Sequence, residues 1–207
     1  MSGFASLKHV DVSHAALWDR RDFDWLQDQI RKNNFDNFVA VLDELVQKKG
    51  EARYEPESGR IVGAGYHSKD IIRQKPITLA KKVDLVVTGG LTHMAKLGTG
   101  ESTTSWTHMA AGTGTNSEAA GDTALQTELT RIQMAAGFRF SSGTDMKFAG
   151  AFPTTSPTGA YREFGILNAA ASGDLFTRTV VAAGDVINHT QNSTVFSFIQ
   201  VVSQSAT

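Results

Sequence analysis

The chain has 207 residues, with 20 basic and 21 acidic side chains and no cysteine. This length suffices for one good-sized domain, or for one domain with a smaller appendage. The balanced charge disfavours a polyanion partner such as nucleic acid, and the lack of cysteine excludes disulfides, thiolate metal sites and a cysteine nucleophile. No apolar run is long enough to span a membrane and the N-terminus lacks a signal-peptide pattern, so we expect a protein made and used in soluble form.

The N-terminal part of the sequence predicts a short helical region. Residues 1–17 show no clear period and predict either a disordered tail or an arm that becomes ordered on a neighbouring subunit. A spacing of three and four between apolar residues then predicts a helix over about 19–32 and a second, stronger one that ends at Gly50. The apolar stripe of the second helix consists of Phe35, Phe38, Leu42 and Leu45. This stripe needs a cover, which is either the rest of the chain or another subunit, and it is our candidate subunit interface.

The remainder of the sequence predicts antiparallel strands. Its glycines gather with serine and threonine after Gly89, as expected where turns need a positive φ. A loop or hairpin turn is predicted between residues 53 and 61. The expected strands lie at 82–88, near 107, and at 131–134, 147–152, 161–168, 175–181 and 194–202. Thr92-His93-Met94-Ala95 recurs as Thr107-His108-Met109-Ala110, which we interpret as two neighbouring strands.

These patterns predict a mainly β protein with an N-terminal helical segment, in the α+β class. We place an N-terminal arm and helical hairpin at residues 1–78, and an antiparallel β-sandwich or barrel-like domain at residues 79–207.

No motif in the sequence predicts an enzyme or a cofactor site. The Gly112-Thr113-Gly114-Thr115 turn lacks the lysine of a phosphate-binding loop, so a structural turn is favoured. The six histidines show no metal-ligand spacing, and His93 and His108 would form a poor site even if their strands paired. We therefore expect no catalytic residues, no metal and no cofactor.

The carboxylates leave an enzyme, such as a glycosidase, as a weaker alternative. They are available at Asp122, Glu128, Glu163, Asp174 and Asp185. A glycosidase needs two carboxylates across a cleft, and Glu163 and Asp174 would be the first to test. For Glu163 a cross-strand or interface ion pair is the favoured interpretation, with little effect on stability if it is exposed. Phe138-Arg139-Phe140 and Tyr161-Arg162 are expected to be core or interface rather than stacking platforms.

Three motifs in the second half of the chain resemble a known class of proteins. They are the glycine-threonine turn after Trp106, the stretch D-T-A-L-Q-T-E from Asp122, and Y-R-E-F-G-I-L-N-A-A-A-S-G-D-L-F-T-R from Tyr161. Together, within about residues 90–202, they resemble the small β-rich virion proteins of tailed bacteriophages, of the decoration, tail or baseplate-associated type.

This resemblance implies a non-enzymatic structural component of a tailed-phage virion, assembled in the host cytoplasm. A capsid decoration or cement protein is the first expectation. A tail, neck, baseplate or fibre-adaptor protein is the alternative, and a host glycan- or receptor-binding module ranks lower. The implied partners are other virion proteins, such as the major capsid protein, and further copies of the chain, with neither nucleic acid nor a membrane.

Overall fold

The computed structural model describes residues 8–19, 53–54, 61–62, 78–83 and 85–205, together with the single helical positions Asp24, Gln27 and Ala40. The strands in chain order are β1 (Lys8–Asp19), β2 (Arg53–Tyr54), β3 (Ile61–Val62), β4 (Thr78–Val83), β5 (Leu85–Val86), β6 (His108–Gly112), β7 (Glu128–Gln133), β8 (Arg139–Ser142), β9 (Asp145–Phe152), β10 (Gly159–Tyr161), β11 (Glu163–Leu167), β12 (Leu175–Val180), β13 (Ile187–His189) and β14 (Thr194–Ser205). One α-helix, α1 (Thr88–Thr99), lies within these ranges, with single 3-10 turns at Ala136–Phe138 and Ala183–Asp185.

The strands form two antiparallel sheets of five strands each. The first has the order β4-β1-β14-β9-β8, and we name it the β14 sheet after its central strand. The second, the β11 sheet, has the order β5-β12-β11-β6-β7. Two short ribbons, β10-β13 and β2-β3, complete the pairing in the described ranges. Of the loop or hairpin turn predicted between residues 53 and 61, the pairing of β2 with β3 supports the hairpin.

The two large sheets pack face to face around an aromatic core. Phe164 of β11 stacks on Phe198 of β14 with ring centroids 4.7 Å apart, and Phe176 of β12 meets Phe148 of β9 edge-on at 5.9 Å. Because side chains alternate between faces along a strand, these contacts define the inner face of each sheet. The prediction of a β-rich antiparallel fold is confirmed, and the arrangement is that of a sandwich.

The N-terminal strand was not predicted. Residues 8–19 form β1, which pairs with β14 along its whole length and with β4 on its other side, so the expectation of a tail or arm at residues 1–17 is wrong for residues 8–17. Ala15 and Ala16 weaken the apolar alternation of β1, so the local pattern does not predict a strand. The strand is stabilised by pairing with β14 and β4, which lie far along the chain. Strand β1 thus lies in the sandwich although it precedes the domain boundary predicted at residue 79.

The predicted helical hairpin falls almost wholly outside the described residues. Phe35, Phe38, Leu42 and Leu45 all lie there, so the candidate subunit interface stays a prediction. Asp19, the predicted start of the first helix, belongs instead to β1.

Helix α1 was not predicted, and it includes Thr92-His93-Met94-Ala95, for which a strand was expected. The strand expected at 82–88 is divided between β4 and β5, and the chain turns helical at Thr88. A Cβ atom on Gly90 would lie 2.5 Å from the carbonyl oxygen of Phe176, so the missing side chain lets α1 approach β12 closely. Gly100, with φ at 77°, ends the helix in the left-handed conformation. No helix in the described part of the chain is long and apolar enough to cross a membrane.

Candidate functional site

The most distinctive polar site centres on Glu163, the first residue of β11. Its neighbour Phe164 points into the core, so Glu163 points to the outer face of the β11 sheet. The register pairs Glu163 with Val180 and Gly165 with Arg178, which brings Glu163 and Arg178 to the same face of adjacent strands. The loop of residues 113–127 lies over them, and Glu163 is completely buried.

Five hydrogen bonds surround the Glu163 carboxylate. Oε1 accepts from the backbone amides of Gly114 at 2.9 Å and Thr127 at 2.6 Å. Oε2 accepts from the amide of Gln126 at 2.8 Å and from Nε and Nη2 of Arg178 at 3.2 and 3.0 Å. A carboxylate offers about four lone-pair directions, so this group has no free acceptor for a substrate. The expected cross-strand ion pair is present, but it is buried rather than exposed.

Arg178 joins the same loop to β12 through its remaining donors. Nη1 donates to Asp122 at 2.9 Å, and Nη2 donates to the carbonyl oxygen of Asn116 at 3.2 Å. Burial by itself would lower the pKa of Arg178, but hydrogen bonds and charge from Asp122 and Glu163 outweigh it and raise this pKa above its ordinary value. The guanidinium group is therefore held charged between two carboxylates.

A second ion pair fixes the middle of the loop. Glu118 accepts a hydrogen bond from the amide of Val180 at 2.7 Å and pairs with Lys82 of β4. The Lys82 ammonium also donates to the carbonyl oxygen of Val180 at 2.7 Å. Burial raises the pKa of Glu118, yet the Lys82 and Val180 hydrogen bonds together lower it below its usual value. This pair links the loop to both sheets, since β4 belongs to the β14 sheet and β12 to the β11 sheet.

We name this network the loop clasp; its side chains are Lys82, Glu118, Asp122, Glu163 and Arg178. Two glycines make room for it. A Cβ atom on Gly114 would overlap the Glu163 carboxylate, and one on Gly165 would lie 2.7 Å from Cδ1 of Leu125, which packs over β11. The amides of the glycine-threonine turn are used within the protein, as Gly114 binds Glu163 and Thr115 binds Gln126 Oε1. These contacts agree with the structural role predicted for this segment.

The hairpin turn between β11 and β12 carries the other recognisable residues of the third motif. The Asn168 side chain accepts from the Asp174 amide at 2.8 Å and donates to Asp174 Oδ2 at 3.1 Å. Gly173 has φ at 82°, a conformation that favours glycine. Arg131 of β7 donates to the carbonyl oxygens of Ala169 and Ser172, both at 2.8 Å. The motif thus encodes a closed turn at one end of the hairpin and the loop clasp at the other.

Asp174 does not join Glu163 in one cleft. Glu163 begins β11 and pairs near the end of β12, whereas Asp174 precedes the start of β12. Four residues along a strand correspond to about 13 Å, longer than either glycosidase spacing. Asp174 instead contacts Nδ1 of His93 at 2.7 Å, with its own side chain 56% exposed.

The histidines occupy separate environments. His93 lies on α1 and not on a strand, so the prediction that its tetrapeptide pairs beside that of His108 is wrong. His93 Nε2 donates to the carbonyl oxygen of Thr104 at 2.7 Å. His189 is buried, with Nε2 donating to the carbonyl oxygen of Ser156 at 3.0 Å, and burial lowers its pKa despite that hydrogen bond. Among the described residues no group of three or more histidine, aspartate and glutamate side chains is placed to hold a metal.

The aromatic residues lie mostly inside. Trp18 and Trp106 are buried, and Trp18 belongs to β1. Tyr161 is buried as well, which raises its pKa to about 12. In Phe138-Arg139-Phe140 the first ring is in the core, while Phe140 is exposed at the sheet edge.

Two ion pairs of the loop clasp were not predicted from the sequence, namely Asp122 with Arg178 and Glu118 with Lys82. The only available signal was the combination of charged residues and glycines within the three motifs.

Comparison of the chain with protein-family models, with curated proteins and with solved structures finds no significant match.

Proposed function

We propose that this chain is a non-enzymatic structural protein of a tailed-phage virion, and within that class a capsid decoration or cement protein. The observation that supports it most is the convergence of the three motifs that resemble such proteins. The glycine-threonine turn contributes the Gly114 amide, D-T-A-L-Q-T-E contributes Asp122 and two amides, and the third motif contributes Glu163 and Arg178. The three motifs that carry the resemblance therefore pack together as one unit of the fold.

The chemistry of the loop clasp favours a structural role over a catalytic one. Glu163 has all its acceptor positions occupied by the protein, and Arg178 is held between two carboxylates. These groups fix a long loop against a sandwich without leaving a reactive atom toward solvent. A rigid outer surface of this kind suits a protein that acts through shape and repeated contacts.

Other positions in the particle remain alternatives within the same class. A tail, neck, baseplate or fibre-adaptor protein would use the same fold with a different partner surface and symmetry. A glycan-binding module is less favoured, because stacking on sugars requires exposed aromatic rings and Trp18, Trp106 and Tyr161 are buried.

Immunogold electron microscopy of purified particles tests the proposal. An antibody raised against the full chain is expected to label the shell across its whole surface, and excess purified chain should block the labelling. Labelling of the tail or of a single vertex would support the alternative positions. A chain that is abundant in the lysate but missing from the particle would contradict the virion assignment.

A further inference from the structure

Strand β5 is too short to be stable on β12 by its own pairing. It has two residues, Leu85 and Val86, which pair with Arg178 and Thr177 of β12. Strands in globular proteins usually have at least about three residues, because each paired residue adds hydrogen bonds and side-chain contacts. Contacts outside the strand itself must therefore keep β5 in place.

The edge of β12 that faces β5 presents the backbone groups of three residues. The carbonyl oxygen of Phe176 accepts from the Val87 amide at 3.0 Å, and Arg178 pairs with β5. Because the hydrogen-bonding direction alternates along a strand, the amide and carbonyl groups of Val180 lie on this same edge. Strand β4 does not continue β5 alongside Val180, since it pairs through Val83 with β1 of the other sheet.

Two side chains take the place of a neighbouring strand at Val180. Glu118 accepts from the Val180 amide, and Nζ of Lys82 donates to the Val180 carbonyl oxygen, both at 2.7 Å. The two side chains also contact each other, with 13% of Glu118 and 33% of Lys82 exposed. An ion pair with this exposure contributes little through charge alone, so we assign its effect to the hydrogen bonds with Val180.

The 113–127 loop binds the chain on both sides of β5. Before β5, Glu118 binds Lys82. After β5, the carbonyl oxygen of Ala120 accepts from the Thr88 amide at 2.8 Å. We name residues 118–120 the strap, because they hold the chain at the two ends of this short strand.

The strap is itself fixed to β12. Oδ2 of Asp122 accepts from the Ala119 amide and from Nη1 of Arg178, both at 2.9 Å. The turn that carries the strap is therefore anchored to the residue of β12 that pairs with β5.

We propose that the strap holds β5 on β12 and thereby keeps the β12 edge closed to a strand from a second copy of this chain. Once the strap is released, the backbone groups of Phe176, Arg178 and Val180 on this edge lose their cover. An open sheet edge is a template for pairing with another chain. The β12 edge of a second copy has the same spacing, and two β12 strands related by a two-fold axis can pair antiparallel. This inference does not rest on the proposed function.

Two variants of Glu118 in the full chain test whether the strap acts through hydrogen bonds. Glu118→Gln keeps an acceptor oxygen for the Val180 amide, whereas Glu118→Ala removes it. Hydrogen exchange measured by NMR at the amides of Val87 and Val180 should be roughly tenfold faster in Glu118→Ala, since a lost hydrogen bond is worth about that factor. Exchange in Glu118→Gln should stay close to that of the native chain. Equal exchange rates in the two variants would overturn the proposal.

Sedimentation velocity over a range of protein concentrations tests the closure of the edge. Glu118→Ala should form dimers as the concentration rises, and exchange of the Val180 amide should then slow again, because a second β12 strand covers it. Glu118→Gln should sediment as the native chain does. The proposal is wrong if Glu118→Ala matches the native chain at every concentration, or if its dimers leave the Val180 amide in fast exchange.

Lys82 supplies a second pair of variants if Glu118→Ala loses the near-UV circular dichroism of the native chain. Lys82→Met removes the donor to the Val180 carbonyl oxygen, whereas Lys82→Arg keeps one. Only Lys82→Met should form dimers in the same sedimentation series. Identical sedimentation of the two variants would contradict the proposal.

Discussion

At the scale of single residues, Glu163 illustrates what a buried charge requires. A carboxylate removed from water loses its hydration, and this cost is recovered only when opposite charge and hydrogen-bond donors replace the water. Here three backbone amides and the Arg178 guanidinium do so. The three amides belong to the 113–127 loop, so the fold of the loop and the burial of the Glu163 carboxylate depend on each other.

Substitution of Glu163 should therefore be costly. In Glu163→Gln an NH₂ group faces backbone amides that also donate, and Arg178 loses its fully buried counter-charge and keeps only the partly exposed Asp122. We expect a loss of about 3–5 kcal/mol in the free energy of unfolding, measured by chemical denaturation. The matched control is Glu128→Gln, which removes the partly exposed pair with Arg131 and should cost at most about 1 kcal/mol. Equal losses in the two variants would show that the clasp does not contribute as described.

The sequence could predict the type of interaction at Glu163 but not its partner. Alternation along the strand indicated a cross-strand ion pair. The choice of Arg178 depends on the register of β11 and β12, and the depth of burial depends on a loop that returns over the sheet. Neither the register nor the path of the loop can be read from local spacing.

His189 predicts a pH dependence of stability. Burial lowers its pKa below the ordinary value of 6.5, so the unfolded chain binds a proton at a higher pH than the folded one. The contribution of His189 to the free energy of unfolding is complete above about pH 6.5 and is lost as the pH falls through the pKa of the folded state. The loss is about 1.4 kcal/mol for each unit by which the folded and unfolded pKa values differ.

The variant His189→Gln should isolate that contribution. Glutamine retains a donor for the Ser156 carbonyl but does not titrate. Denaturation midpoints measured between pH 7 and pH 5 should fall less steeply for the variant than for the native chain. His108 also has a lowered pKa, from burial and from Arg131 and Arg139, so part of the slope should remain. Identical slopes would contradict the assignment.

At the scale of elements, the repeated tetrapeptide Thr-His-Met-Ala forms a helix in one copy and a strand in the other. His93 lies in α1 and His108 in β6, because tertiary contacts decide between weak local preferences. His93 packs on Trp106, and Trp106 stacks on Phe176 with centroids 4.7 Å apart in each pair. The strands predicted at 147–152 and 194–202 were confirmed and lie within β9 and β14.

The docking of α1 on β12 should depend on Gly90. In Gly90→Ala the new methyl group would meet the backbone of Phe176, which is held in the sheet, so we expect a loss of about 1–3 kcal/mol in unfolding free energy. Gly98→Ala, in the same helix, has no neighbour within 4 Å and should be neutral or stabilise by up to about 1 kcal/mol. Thermal unfolding followed by circular dichroism compares the two, and the reverse order would contradict the packing.

Strand β1 also changes how the N-terminal region is interpreted. Because β1 lies between β4 and β14, removal of residues 1–50 would take an internal strand out of the sandwich. Docking on a particle therefore cannot be tested by deleting this region, and the full chain is needed.

At the scale of the whole molecule, the outer face of the β11 sheet is used for internal packing. The 113–127 loop covers part of that face, and Val195, Ser197 and Ile199 of β14 are also fully buried. Large apolar side chains that are exposed include Leu91, Leu129 and Phe140, which lie on α1 and on the two edge strands β7 and β8.

The measurement that tests the proposed function most directly is the copy number of the chain in purified particles. Quantitative mass spectrometry against the major capsid protein gives this ratio. A capsid decoration protein predicts a fixed ratio corresponding to hundreds of copies, since the shell repeats one protein many times. A ratio corresponding to only three, six or twelve copies would contradict decoration of the shell, and absence of the chain from the particle would contradict the virion assignment altogether.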